Sequence, residues 1–227
     1  MHDGAAWALR WVAIPLLVLM GPPLVAEAAQ AEFSDGDFNL SDYAIEVHQS
    51  NSNATITVVV DSSVGQPAPS LGHDTVLTGS QNSRVYYTNN LFTWNPQVQG
   101  ALSAISYSID RWISLSSGSL ASWGATLLLE QSGNYYRYTQ SLPLAQNTWR
   151  SATVSDLAQD DFDQVTNLSS GTVNTASHPD FTGGEIRFGT SFGWDGGSGG
   201  QTIFNRFDNL TVQLTYDQPA GVPIFPY

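Results

Sequence analysis

The chain has 227 residues, no cysteine, and 20 acidic against 7 basic residues, every basic one an arginine, for a net charge of −13. So negative a surface repels phosphate backbones and anionic headgroups, which argues against nucleic acid and electrostatic membrane docking. Without disulfides the fold must rest on apolar packing, with at most a bound ion to help it.

Residues 1–28 carry Arg10, an apolar run from Trp11 to Met20, the break Gly21-Pro22-Pro23, and Ala26-Glu27-Ala28. That order is a secretory signal peptide ending on an A-x-A cleavage motif, and a second motif at Ala29-Gln30-Ala31 sets the mature start at Ala29 or Glu32. The run contains Pro15 and is shorter than the roughly 20 apolar residues of a spanning helix, so no membrane insertion is expected after cleavage. The expected product is secreted to the extracellular space or held at the cell surface. It keeps 18 acidic and 6 basic residues. Residues 29–217 are long enough for one all-β domain, and 218–227 form a Pro-rich tail.

Only 12% of residues are charged, and Ser, Thr, Asn, Gln and Gly fill the spaces between apolar residues, a composition that favours strands over helices. Strands are predicted near 43–47, 55–60, 84–92, 101–115, 125–131, 135–141, 148–154, 185–192 and 204–216. In the longest, Ile105, Tyr107, Ile109, Arg111, Ile113 and Leu115 share one parity and Ser106, Ser108, Asp110, Trp112 and Ser114 the other. That is the period-2 pattern of a half-buried strand, with a bend expected near Arg111. Ser132-Gly133-Asn134 stands at hairpin spacing between 126–130 and 135–138, and Ser155 heads a predicted short helical turn. Nine strands separated by turn clusters make an antiparallel β-sandwich.

Nucleophilic catalysis finds no G-x-S-x-G elbow and no thiol, and His48, His73 and His178 read as surface or hydrogen-bonding residues. Glycoside hydrolysis needs two facing carboxylates, yet two residues either side of Glu130 and Glu185 stand only Leu128, Ser132, Gly183 and Arg187. An acid pair from separate strands stays open. Of Asp160, Asp161 and Asp163, neighbours in a strand point to opposite faces, so the run reads as a solvated loop. The Gly196–Gly200 loop lacks the lysine of a phosphate-binding loop.

Aromatic residues point towards ligand binding, because sugars stack apolar C–H faces on rings while nearby carboxylates and amides take their hydroxyls. Trp94, Trp112, Trp123, Tyr135, Tyr136 and Trp194 are candidates, and Trp112 stands out on the polar parity of the long strand beside Asp110. The expected ligand-binding set is Asp110, Trp112, Trp123, Tyr136 and Trp194.

The mature chain opens with Phe33-Ser34-Asp35-Gly36-Asp37-Phe38 and closes with Phe207-Asp208-Asn209-Leu210-Thr211-Val212. Between them lie His178-Pro179-Asp180-Phe181 and Ile186-Arg187-Phe188-Gly189. These short segments resemble the secreted bacterial jelly-roll modules of the carbohydrate-binding and laminin-G-like (concanavalin-like) type. The resemblance implies a single jelly roll in which the opening and closing segments lie side by side. It also implies a structural calcium where they meet, held by Glu32, Asp35, Asp37 and Asp208 with backbone carbonyls, a ligand chemistry that suits calcium. The function it implies is non-catalytic binding of a glycan, or of an extracellular-matrix or cell-surface component. The alternatives are an adhesive or structural surface protein without a small ligand, and a glycan hydrolase or lyase. The tail Val222-Pro223-Ile224-Phe225-Pro226 is similar to the proline motif of exosortase sorting signals but lacks its usual Glu, and release is expected.

Overall fold

The computed structural model describes residues 28–116, 122–138, 140, 146–196 and 199–218, apart from the side chains of Ser122 and Trp123. Residues 1–27 of the expected signal segment and the tail from Pro219 lie outside them, so the sorting motif is not described, whereas Ala28, at the expected cleavage site, and the second motif Ala29–Ala31 fall within the first strand. The strands in chain order are β1 (Ala28–Asp35), β2 (Tyr43–Gln49), β3 (Ala54–Asp61), β4 (Ser70–Leu77), β5 (Ser83–Trp94), β6 (Leu102–Leu115) and β7 (Ser122–Gln131). There follow β8 (Asn134–Tyr138), β9 (Arg150–Leu157), β10 (Phe162–Asn167), β11 (Thr172–Asn174), β12 (Ile186–Asp195) and β13 (Thr202–Asp217). One short helix, α1, spans Pro96–Gln99.

Two antiparallel sheets face each other in a jelly-roll sandwich. One runs β3-β4-β13-β6-β9 with β1 added against β13; the other runs β11-β10-β8-β7-β12-β5-β2. The alternation read in β6 holds: Ile105, Tyr107, Ile109, Arg111 and Ile113 are buried, and Ser106, Ser108, Asp110, Trp112 and Ser114 take the outer face. Arg111 is fully buried, its Nη1 donates to the Ala125 carbonyl, and burial lowers its pKa to about 10. Ser132 and Gly133 both have positive φ (54° and 78°), the conformation of a tight two-residue hairpin turn, and they join β7 to β8. The helical turn expected at Ser155 is instead strand up to Leu157, followed by a 3-10 turn at Gln159–Asp161.

β13 organises the first sheet. One edge pairs with β6 along nearly its whole length; the other is shared end to end, Thr202–Phe207 with β4 and Leu210–Asp217 with β1. The opening and closing segments therefore do lie side by side, Phe33 opposite Val212 and Asp35 opposite Leu210. Between the two partners β13 bulges at Asp208–Asn209, where Asn209 takes φ 49°. Inside, Phe207 packs against Phe38, Tyr43, Tyr87 and Phe192 at centroid distances of 5.1–6.3 Å.

A buried polar bridge crosses this core. His73 Nδ1 lies 2.7 Å from Tyr87 Oη and Nε2 lies 2.9 Å from Asn205 Nδ2. Because the Asn205 amide donates to Nε2, the ring hydrogen sits on Nδ1 and the imidazole is neutral. Burial, reinforced by Arg206, pushes the His73 pKa down to about 3. The unfolded chain takes up this proton near pH 6.5 and the folded one only near 3, so the unfolded state binds more protons between those values. Stability is thus undiminished by this group above pH 6.5 and falls as pH drops through the window, by about 1.4 kcal/mol per pH unit at most. Urea unfolding of the parent chain and a His73→Gln variant at stepped pH should give a steeper decline for the parent between pH 6.5 and 4.5. Parallel curves would show that His73 is not held neutral.

Candidate functional site

The outer face of the seven-stranded sheet forms a trough that holds two clefts. Strand parity puts Glu46 and His48 of β2, Arg84 and Tyr86 of β5, Leu128 and Glu130 of β7, Tyr135 and Arg137 of β8, Val165 of β10 and alternate residues of β12 from Arg187 to Asp195 on that face. Tyr86 and Tyr135 stack at 5.0 Å with 24° between their planes. With Leu128 and Val165 they form a small apolar cluster outside the main core, against which Leu168 and Val173 pack. Tyr86 Oη donates to the Leu168 carbonyl at 2.9 Å and so ties the 167–171 turn over one flank. The Tyr135 ring of β8 and Glu46 of β2 line one cleft, and burial foremost, then this carboxylate, raise the pKa of the Tyr135 hydroxyl. Glu46 in turn meets His48 Nε2 at 3.0 Å. Side chains of strands four spacings apart in the sheet thus share one cleft.

A cross-strand ion pair divides the trough. Arg187 Nη2 and Nε lie 2.6 and 2.7 Å from Glu130 Oε2, Arg187 Nη1 donates to Asn90 Oδ1 at 3.2 Å, and Glu130 Oε1 accepts the Gly133 N–H at 2.8 Å. On one side a cleft of about 450 Å³ is lined by Asn90, Thr93, Glu130, Ser132, Glu185 and Arg187. On the other, one of about 380 Å³ is lined by Glu46, Glu130, Gly133, Asn134, Tyr135, Val165, Thr166, Leu168 and Arg187. Both volumes fall in the range of small-ligand sites, about 300–1,000 Å³.

The sequence-predicted set does not come together. Trp112 and Asp110 stand on the outer face of the opposite sheet, half-buried, Trp112 across from Arg206. Trp194 is a correction: it is 2% exposed in a core cluster with Leu77, Ile113 and Ile203, tilted against His73. Tyr136 is a second correction, since the hairpin register turns it into the main core and turns Tyr135 out. The side chain of Trp123 lies outside the described residues. The two-residue turn at Ser132-Gly133 was the signal that could have picked Tyr135 over Tyr136, because it makes Glu130 and Tyr135 a facing pair.

The expected calcium ligands are likewise redistributed. Glu32 is exposed on the parity of β1 opposite to Asp35, so the two cannot share an ion, and Asp37 is an exposed loop residue. Asp35 already accepts the Asp37 and Phe38 N–H groups, the Tyr43 hydroxyl and the Asn89 amide. Asp208 is fully buried at the bulge, accepting from the Gln66 and Asn209 N–H groups, and Asp110 stands beside it in register. Burial raises the Asp208 pKa, with Asp110 and Asp35 adding to the effect. The Asn209 amide donates both to Asp110 Oδ2 and to the Gln66 carbonyl. Among the described residues no three His, Asp or Glu side chains form a metal-binding group, so any ion here must draw on backbone and amide oxygens too.

Two glycines make the trough possible for different reasons. A Cβ on Gly189 would stand 1.9 Å from the Tyr87 carbonyl oxygen at a bulge, whereas one on Gly193 would meet only the Arg84 side chain, its Nη1 at 2.3 Å. Gly189→Ala should therefore destabilise the fold by about 2 kcal/mol or more in urea unfolding, and Gly193→Ala by much less. Equal losses would contradict the backbone approach at Gly189.

No family model matches the chain, and no curated protein matches it. Among solved structures it is similar to the family 11 carbohydrate-binding module of the cellulosomal cellulase Lic26A-Cel5E of Clostridium thermocellum, with 15% identity and a TM-score of 0.45 over 81% of this chain and 95% of that one. The Clostridium thermocellum family 11 module in complex with a β-1,3-1,4-mixed-linked tetrasaccharide gives 14% and 0.45, over 80% and 94%. An arabinose-bound α-L-arabinofuranosidase gives 18% and 0.38, over 78% of this chain and 23% of that one. Likeness at this level carries no inference about a ligand.

Proposed function

We propose that this chain is an exported, non-catalytic carbohydrate-binding sandwich that takes a glycan in the trough of its seven-stranded sheet. The observation that carries the reading is the pair of clefts meeting at the Glu130–Arg187 bridge, with the Tyr135 ring in one wall. A ring edge for C–H contact, carboxylates at Glu46 and Glu185 and amides at Asn90 and Asn134 are the groups that a polyhydroxylated chain needs. The arginine bridge holds Asn90, and Gln164 holds Asn134, before a ligand arrives, which lowers the ordering cost of binding. Tyr135→Ala should weaken retention on an immobilised polysaccharide by on the order of tenfold, while Trp112→Ala, on the other sheet, leaves it unchanged. The reverse pattern would move the site to the sheet of Trp112. An empty glycan array would instead favour an adhesive or structural role.

Calcium belongs to this proposal in narrowed form. Asp110, Asp208 and the Gln66 carbonyl supply oxygen donors of the kind calcium takes, and an ion there would displace the Asn209 amide N–H groups that now meet Asp110 and Gln66. A cation there would offset the mutual repulsion of carboxylates where β1 and β4 abut. Calcium should raise the melting temperature and a chelator should lower it, with Asp208→Asn abolishing the difference, since a ligand bound only by the folded state stabilises it. Identical melting curves in calcium and in chelator would remove the ion from the account.

A further inference from the structure

Beyond the clefts, the far end of the same trough carries two arginines. Arg84 of β5 lies in the space left by Gly193 and by Gly171 of the covering turn. Arg137 of β8 stands on the same face, and both charges act on the Tyr86 hydroxyl, as does Arg84 on Arg137. Neither guanidinium has a hydrogen-bond or ion-pair partner among the described residues. Four buried polar atoms on this face lack a partner: Arg84 Nε, Arg137 Nε, Ser191 Oγ and Asp195 Oδ1. Buried polar atoms in folded proteins are nearly always hydrogen-bonded, so such a group marks a place for a ligand's oxygens.

The charge pattern says which oxygens. Two neighbouring cations that close no ion pair repel, and each has a fork of donors shaped for a carboxylate or a sulfate. Of the acids nearby, Asp163, opposite Arg137 in register, and Asp195 both act on Arg137 without closing an ion pair, and Asp163 also lies 3.6 Å from His178 Nδ1. In a chain with 20 acidic and 7 basic residues, Arg84, Arg137 and Arg187 all lie on this one face.

We propose that the trough is a site for acidic polysaccharide, with a uronate carboxylate or a sulfate ester seated between Arg84 and Arg137. The neighbouring sugar hydroxyls donate to Asp195 and Ser191. This rests on the glycan-binding reading above and adds the charge class of the ligand.

Titration calorimetry with polygalacturonate, a sulfated galactan and a neutral β-glucan tests it. Binding is expected to one or both acidic polymers and not to the glucan. A response to polygalacturonate alone identifies a carboxylate, and to the sulfated polymer alone a sulfate ester. Arg84→Gln and Arg137→Gln should each weaken that binding by on the order of tenfold or more. Should those variants unfold, Gly193→Ala carries the test: it displaces the Arg84 guanidinium, keeps its charge, and should also weaken acidic-polymer binding. Glucan bound as tightly as the acidic polymers, with the arginine variants unaffected, overturns the acidic-ligand proposal and leaves glycan binding standing. No binding to any of the three overturns both.

Discussion

Everything in this sandwich hangs on β13 and the ring of Phe207. Sixteen residues of β13 hydrogen-bond β6 along one edge and both β4 and β1 along the other, so the chain's beginning, middle and end are tied to one strand. Phe207 then reaches across to Tyr43 of β2, Tyr87 of β5 and Phe192 of β12, the strands that build the floor of the trough. In a chain with no covalent cross-link, this combination of ladder and ring cluster keeps the two sheets in register. The sharing of one edge by two strands has a local cost. The ladder breaks at Asp208–Asn209, and the exposed backbone groups there are met by side chains rather than by a neighbouring strand, which is why carboxylates and an amide collect at that point.

The trough depends on a different device, the thinning of β12. With glycine at 189 and 193, the middle of the sheet carries little side-chain bulk on its outer face, so long side chains from flanking strands lie down across it. Tyr86, Tyr135 and Arg84 do so, and the Tyr86 and Tyr135 rings meet above the intervening strands. A row of valines or leucines on β12 would stand these side chains upright, leaving a flat apolar face. The same residues would then exclude a ligand rather than receive one.

Most of the fold was legible in the residues, and most of the site was not. Period-2 alternation gave β6 to its ends, and the paired turn residues gave the β7–β8 hairpin, because each signal is local. β4 was missed: Ser-Leu-Gly-His-Asp-Thr is polar because this strand buries a hydrogen-bonded histidine, and polarity reads as loop when the partners Tyr87 and Asn205 are distant in sequence. Aromatic type alone did not tell a core ring from a surface ring. Trp194 looks like a sugar platform in a glycine-rich setting, yet β12 is central, and its even-numbered parity faces the core. Tyr135, Glu130 and Arg187 come from three strands, and their meeting follows from sheet order, which no local pattern encodes.

Under the proposed glycan-binding reading, sheet order also bears on whether the site binds or cleaves. Glu130 and Glu185, which share no strand-local acid pattern, do line one cleft. Cleavage between two carboxyls requires one of them to surrender a proton to the leaving oxygen and the other to attack or to activate water. Glu130 is poorly placed for either part: Oε1 is held by the Gly133 N–H, and Oε2 by two N–H groups of Arg187, which is itself braced by Asn90. To act as an acid it would have to break a bidentate ion pair, and to act as a nucleophile it would have to turn away from the turn it supports. Glu185 is exposed and would face the substrate without a carboxyl partner ready to react. The arrangement commits this carboxylate to holding a wall in place, which accords with the proposed reading of the trough as a surface of fixed donors and acceptors.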